Sequence, residues 1–144
     1  MLQKSRALAL RIWPNSNTSL IIAWLTPEHG KVVTLIKGAL RPKSVFLGQC
    51  DLFYSCELIF YTRSRSDLFI AKEITPLQDR RFLRTDWRSN CAASYWSHLI
   101  FQTSVDQAPH EAAFRLSNTV LDHLEHSLKP ALVLMWGELK LLQA

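Results

Sequence analysis

Cysteine is scarce in this sequence, and the cysteines present follow no recognisable spacing. The three are Cys50, Cys56 and Cys91. They form no CxxC pair, which argues against a disulfide framework, and they cannot by themselves supply a structural zinc site. We interpret them as small, buried apolar residues of a protein that works in a reducing, cytoplasmic compartment.

Glycine is also scarce, with four residues in a chain of 144. The sequence has no glycine-rich loop for a phosphate group, no GxSxG and no HExxH, and Gly30-Lys31 lacks the rest of a P-loop. Glu73, Asp79 and Asp86 form no evident carboxylate pair. We therefore predict that the chain is not an enzyme and requires no cofactor.

Histidine offers only one pattern that metal sites use. His123 and His126 are three residues apart, a spacing that can place two ligands on one face of a helix. No third ligand follows at a recognisable spacing. Solvated histidines on a helix surface are therefore the favoured interpretation, and we predict no metal site.

Long apolar runs are missing as well. No stretch of about 18 apolar residues occurs, so we expect no transmembrane helix. Lys4 and Arg6 precede the segment ALAL and faintly resemble the start of a signal peptide. Arg11 and Pro14 interrupt the apolar run that would follow, so we expect no signal peptide either.

Acidic residues are few in the first half of the chain. Lys and Arg total 17 against 12 Asp and Glu, which gives a formal net charge of +5 and a pI of about 9.4. Residues 1–76 carry ten cations against five anions, whereas residues 77–144 carry seven of each. The excess is concentrated between residues 31 and 43, and this balance suits a polyanionic partner.

The segment from His29 to Gly48, HGKVVTLIKGALRPKSVFLG, contains that concentration of charge and no carboxylate. Its first half alternates as a strand does, and its second half begins at Gly38 and includes Pro42, which predicts a loop. A strand that delivers a basic loop is a good way to hold cations against a phosphate backbone. The four cations of this segment are Lys31, Lys37, Arg41 and Lys43.

Five short strands with short connections are predicted in the first half of the chain, which favours a small closed or nearly closed barrel. We place them at residues 6–13, 19–26, 31–37, 51–62 and 68–75. The first strand alternates cleanly, which predicts one buried face. Residues 38–50 leave little space for a helix after the third strand, so we expect a loop there.

The hydrophobic period changes after Pro76, and we predict three or four packed helices. The segments are residues 79–84, residues 86–103 with Asp86 in the N-cap region, residues 110–128, and a last helix from Pro130. The predicted inward residues are Trp87, Cys91, Tyr95 and Leu99; Ala113, Leu116, Val120, Leu124 and Leu128; and Leu132, Met135, Trp136, Leu139 and Leu142. The fold class is therefore α+β: a five-stranded OB-type barrel domain (1–76) followed by a helical domain (77–144).

Four segments in this order resemble the RecO family of bacterial recombinational DNA-repair proteins: ALALRIW, His29-Gly30-Lys31, KGALRPKS and the terminal ELKLL. The resemblance implies an OB-fold and a helical domain, of which the helical domain is incomplete here. It also implies binding to single- and double-stranded DNA, strand annealing and RecA loading. The implied protein partners are RecR and the C-terminal tail of the single-strand-binding protein. Trp87, Trp96 and Trp136 would line a groove for that tail.

Aromatic residues next to the loops are candidates for base stacking, as in other OB-folds. Trp13 and Phe46 are favoured on this ground, whereas Trp24 lies in a fully apolar run and is interpreted as core. The residues that we predict to bind DNA are Lys31, Lys37, Arg41, Lys43, Arg11, Trp13 and Phe46. An RNA-binding OB module and a basic module for an acidic protein partner remain as alternative functions.

Overall fold

Five strands close into a barrel in the computed structural model, which describes residues 1–144. The order around the barrel is β1-β2-β3-β5-β4; all neighbours are antiparallel except β3 and β5. The strands are β1 (Leu2–Pro14), β2 (Leu20–Thr26), β3 (Gly30–Ile36), β4 (Ser55–Arg63) and β5 (Ser66–Gln78). The barrel prediction is confirmed, and residues 37–54 contain turns but no helix, as expected.

Four helices follow the barrel, so the α+β fold class is confirmed. They are α1 (Phe82–Thr85), α2 (Trp87–Thr103), α3 (Glu111–His126) and α4 (Pro130–Leu141). None of them is long and apolar enough to cross a membrane. β5 continues through Pro76 to Gln78, two residues beyond the division that we predicted between the domains. That division at residue 76 stays a prediction.

The first strand has two buried faces in its middle, where one was predicted. Ala7 and Ala9 point into the barrel core, whereas Leu8 and Leu10 pack into a second core shared with the helices. A β-bulge between Ala9 and Arg11 then shifts the alternation. The strict alternation assumed from the sequence is therefore wrong beyond this point, because the bulge inserts one extra residue.

The fourth strand begins at Ser55, so the prediction that it starts at residue 51 is wrong. Phe53 has a φ of 70°, a left-handed conformation that interrupts a strand. Its side chain is completely buried, but in the second core and not in the barrel. The segment 51–54 thus connects the barrel to the helices.

α2 begins where it was predicted to begin, because the Asp86 side chain accepts a hydrogen bond from the Ser89 amide at 3.0 Å. The predicted inward stripe is wrong, since Trp87, Cys91 and Tyr95 are exposed. The buried face carries Ala92, Ala93, Trp96 and Ile100. Small side chains at two of these positions let the helix approach β1 closely, which a face of large aromatic rings does not allow.

All five apolar side chains that were predicted to face inward from the last helix are exposed, so that prediction is wrong. Pro130 occupies the first turn, as predicted, and Gly137 is the buried residue of the helix. A Cβ at Gly137 would lie 2.8 Å from both the Trp96 ring and the Val120 side chain. The lack of a side chain at Gly137 therefore lets the backbone of α4 pack directly against these two residues. The exposed residues are Leu132, Met135, Trp136, Leu139 and Leu142, and Leu128 before the helix is also exposed.

A buried arginine joins the barrel to the helices. Arg80 lies after β5 with a φ of 46°, and its side chain is 0% exposed. Its guanidinium donates to the Phe53 carbonyl at 2.7 Å and the Ser55 hydroxyl at 2.9 Å. It also donates to Asn118 and Asp122 on α3, both at 2.8 Å. These four acceptors satisfy a buried charge that would otherwise be very costly.

Replacing Arg80 by leucine should lower the free energy of unfolding by about 1–3 kcal/mol, because the buried Phe53 carbonyl and the partly buried Ser55 and Asn118 lose their donor. Urea denaturation followed by tryptophan fluorescence measures this. The matched control is Arg81→Leu at the exposed neighbouring position, for which we expect a change within about 0.5 kcal/mol. Equal effects of the two substitutions would contradict this account of Arg80.

Candidate nucleic-acid interface

The basic loop, which we define as residues 37–50, is held at one end of the barrel. The Leu40 amide donates to the Thr18 carbonyl at 2.9 Å, and the Gly38 amide donates to the Ser19 hydroxyl at 3.4 Å. The Ala39 side chain is buried in the barrel core. These contacts fasten the start of the loop to the β1–β2 connection, so its cations project from a fixed backbone.

Lys37, Arg41 and Lys43 are exposed on this loop. No carboxylate lies within 4.0 Å of any of the three, and none of their side chains makes a hydrogen bond. Gly38 has a φ of 68°, which favours glycine and turns the chain away from β3 directly after Lys37. The loop therefore presents three uncompensated positive charges together.

Phe46 is half-buried against the barrel core, so only part of its ring faces solvent. Its neighbours Val45 and Leu47 are the strongly exposed apolar residues of the loop, at 80% and 57%. Neither residue is among those predicted from the sequence to bind DNA. Their exposure on a basic loop makes them candidates for contact with the apolar faces of bases or sugars.

Trp13 lies towards the end of the barrel that carries the basic loop, because it pairs with Ile21 and Ile21 pairs with Leu35. Arg11 lies nearer the middle of the barrel, at the level of Val33. The Arg11 guanidinium lies 5.2 Å from the centre of the Trp13 ring and 5.4 Å from that of Phe101. A cation stacked on an aromatic ring is well suited to meet both a phosphate and a base.

Lys31 lies at the other end of β3, six residues before Lys37, a separation of about 20 Å along a strand. Its ammonium group donates to the Phe101 carbonyl at 3.0 Å and lies 3.5 Å from Asp106 and 4.4 Å from the centre of the Phe101 ring. Its side chain is 15% exposed. The seven residues predicted from the sequence thus do not form one cluster. Contact between Lys31 and DNA stays a prediction, and such a contact would compete with the internal contacts of Lys31.

The end of the basic loop is anchored by Cys50. This residue packs against the barrel core, whose members include the fully buried Cys56. A hydrogen bond with the Cys56 thiol and burial raise the pKa of Cys50 well above its ordinary value. Both thiols are free, as is the exposed Cys91.

No group of three or more histidine, cysteine, aspartate or glutamate side chains is arranged to hold a metal ion. The Nδ1 atom of His123 lies 2.8 Å from the Thr119 carbonyl, and its ring lies 5.9 Å from that of Trp136. His126 is exposed beside Glu125. Both histidines therefore occupy the helix surface.

Two family models match this chain, and together they cover nearly all of it. "Recombination protein O N terminal" matches residues 1–80, and "Recombination protein O C terminal" matches residues 84–144. Their boundary falls beside Arg80, at the junction of barrel and helices.

Curated relatives show the same similarity. DNA repair protein RecO of Idiomarina loihiensis is 30% identical over 138 residues, which are 96% of this chain and 58% of the relative. The protein of the same name from Bacillus pumilus is 27% identical over 143 residues, 99% of this chain and 55% of the relative. That of Coxiella burnetii is 44% identical over 62 residues, 43% and 26% of the two chains. The chain spans about half the length of the relatives that match it along most of its residues.

Replacing Lys31 by methionine should lower the free energy of unfolding by about 2 kcal/mol, because the Phe101 carbonyl and Asp106 lose a charged donor. The same substitution at Lys37 should change it by no more than about 0.5 kcal/mol, since that side chain makes no contact. Chemical denaturation of both variants checks the comparison. Equal losses would show that Lys31 does not support the fold in this way.

One thiol should react promptly with Ellman's reagent in the native protein at pH 8. Cys91 is the exposed residue, whereas the raised pKa of Cys50 leaves little thiolate at that pH and Cys56 is buried. All three should react once the protein is unfolded in urea. A native protein in which two or three thiols react together would contradict the described packing of the loop.

Proposed function

Because the chain belongs to the RecO family, we propose that it binds DNA as a non-enzymatic recombination mediator in DNA repair. The substrates in this proposal are single- and double-stranded DNA. The observation that carries it is the set of three unpaired cations on the basic loop, with Trp13 towards the same end of the barrel and Arg11 near its middle. The family relationship supports DNA over other polyanions.

Binding to this end of the barrel would be driven mainly by phosphate neutralisation. Lys37, Arg41, Lys43 and Arg11 all lack a carboxylate partner, so a phosphate does not have to displace an internal ion pair. Each phosphate that is neutralised releases condensed counterions, which makes affinity fall with salt. With four cations engaged on a single strand, the slope of log K against log salt should be roughly −3.

Strand annealing is compatible with this kind of site. A surface that holds a strand through its phosphates leaves the hydrogen-bonding edges of the bases free to pair. Trp13, Val45 and Leu47 add apolar contacts that do not depend on base identity. We therefore propose that the bound strand remains available to a complementary strand.

We further propose contacts with RecR and with the C-terminal tail of the single-strand-binding protein, and a role in RecA loading, on the basis of the family relationship alone. The predicted groove cannot be lined by all three of Trp87, Trp96 and Trp136, because Trp96 is completely buried. The exposed apolar residues of α4, which include Trp136, form the surface best suited to an apolar peptide.

The loop variant Arg41→Glu/Lys43→Glu tests the proposal by fluorescence anisotropy of a labelled single strand of about 30 nucleotides across a salt series. We expect the salt slope to change from roughly −3 to roughly −1.5, because two of four cations are removed. The matched control is Lys129→Glu/Lys140→Glu, which changes the charge equally on the helical part and should leave the slope near that of the unmodified protein.

Three outcomes would contradict the proposal. Absence of binding at low salt by the unmodified protein would favour an acidic protein partner. Stronger competition by RNA than by DNA of the same length would favour an RNA-binding module. Equal behaviour of the loop variant and the control would remove the basic loop from the DNA site.

A further inference from the structure

A cavity of about 990 Å³ opens at the end of the barrel opposite the basic loop. The cationic residues in its wall are Arg63 and Arg65, with the imidazole of His29 beside them. The hydroxyl groups of Thr62, Ser64 and Ser66 line it as well, and no aspartate or glutamate does. Neither arginine is among the residues predicted from the sequence to bind DNA.

The position of this cavity follows from strand register. Arg63 pairs with Ser66 to close the β4–β5 hairpin, and Thr26 pairs with Gly30 to close the β2–β3 turn. β3 and β5 run parallel, so both turns lie at the end where these strands begin. The basic loop leaves β3 at its other end. The length of β3, Gly30–Ile36, separates the two surfaces by about 20 Å.

The two arginines of the cavity are uncompensated. Neither Arg63 nor Arg65 has a carboxylate within 4.0 Å, and neither guanidinium makes a hydrogen bond. The nearby Asp67 carboxylate accepts a hydrogen bond from Gln107 at 3.2 Å. Two free guanidinium groups offer the fork of N–H donors that suits the oxygens of a phosphate group. The hydroxyl groups of Thr62 and Ser66 add little to this, because they donate to the Met1 and Leu68 carbonyls at 3.1 and 3.3 Å.

The wall opposite the hairpin is fixed by backbone contacts. Gln107 belongs to the α2–α3 connection, and its amide donates to the Lys31 carbonyl at 3.0 Å. The Lys31 amide donates to the Val105 carbonyl at 3.3 Å. Gly30 has a φ of 64°, and a Cβ there would collide with the Ala108 carbonyl. The cavity is therefore bounded on this side by a connection that is tied to β3.

The floor of the cavity is aromatic. Phe69 is 5% exposed, and its ring stacks on Phe60 with 5.8 Å between centroids. The His29 ring meets Phe60 edge to face at 5.7 Å. The buried phenylalanine rings close the bottom of the cavity but leave almost no ring surface for a base, so a nucleotide unit would be held here through its phosphate.

From this arrangement we infer that the cavity is a second phosphate-binding site, which takes the backbone phosphates of a nucleic-acid strand about 20 Å from the basic loop. The identification of that strand as DNA rests on the proposed function. The barrel then engages phosphates at both of its ends, and strands long enough to reach both surfaces gain affinity over short ones.

The test compares Arg63→Ala/Arg65→Ala with the charge-matched control Lys129→Ala/Lys140→Ala and with the loop variant. Anisotropy of the labelled 30-nucleotide strand across a salt series is the readout, and circular dichroism checks folding. If the cavity is engaged as well, the slope for the unmodified protein should be roughly −4, steeper than the −3 expected from the first four cations alone. We expect the cavity variant to bind more weakly than its control, with a slope shallower by roughly 1.4, because two phosphate contacts are lost. Thymidine monophosphate, added at the same concentration as the nucleotide units of the labelled strand, should displace little of that strand.

The outcomes separate this inference from the proposed function. Equal binding by the cavity variant and its control overturns the inference, whatever the loop variant does. Weaker binding by the cavity variant together with unchanged binding by the loop variant supports the inference and removes the loop from the site. Displacement of the strand by the mononucleotide at equal nucleotide concentration would overturn a strand site in favour of a site for free nucleotides.

Discussion

The Arg80 guanidinium is the interaction on which the arrangement of barrel and helices depends. It is fully buried, and its contacts join three parts of the chain: one goes to Phe53 before β4, one goes to Ser55 at the start of β4, and two go to α3. Arg84 reinforces the same junction through Asp51 at 3.5 Å and the Tyr54 ring at 4.8 Å. A buried charge tolerates little displacement of its acceptors, so the helices have one favoured position on the barrel.

The cations of the chain play different parts. Lys31, Arg80 and Arg84 make internal ion pairs, and their contacts determine how the helices and the α2–α3 connection meet the strands. Lys37, Arg41 and Lys43 at one end of the barrel and Arg63 and Arg65 at the other have no carboxylate partner. Each end of the barrel therefore carries a local group of uncompensated positive charges. Net charge alone does not reveal this separation.

The sequence predicted the local features well. Alternation located the first and third strands, and a fully apolar run located the second. Gly38 and Pro42 located the basic loop, and Asp86 located the start of α2. It could not predict the Arg80 network, whose partners are 25 to 42 residues away in sequence. Periodicity also misplaced the inward faces of α2 and α4, because small residues decide where helices approach closely. For the candidate site, the loop cations were predicted, whereas Arg63 and Arg65 were missed because a turn with two arginines is also ordinary surface.

The parallel contact between β3 and β5 joins the strands at three positions, from Val33 with Leu68 to Leu35 with Ile70. It is the shortest contact between neighbouring strands of the barrel, since every other pair of neighbouring strands is joined at six or more positions. The basic loop continues from β3, whereas the hairpin with the two free arginines belongs to β4 and β5. A nucleic-acid strand held under tension between these two surfaces would apply a shear force to the contact between β3 and β5. The barrel's mechanical resistance to that tension would then depend on only a few backbone hydrogen bonds and on the packing around them.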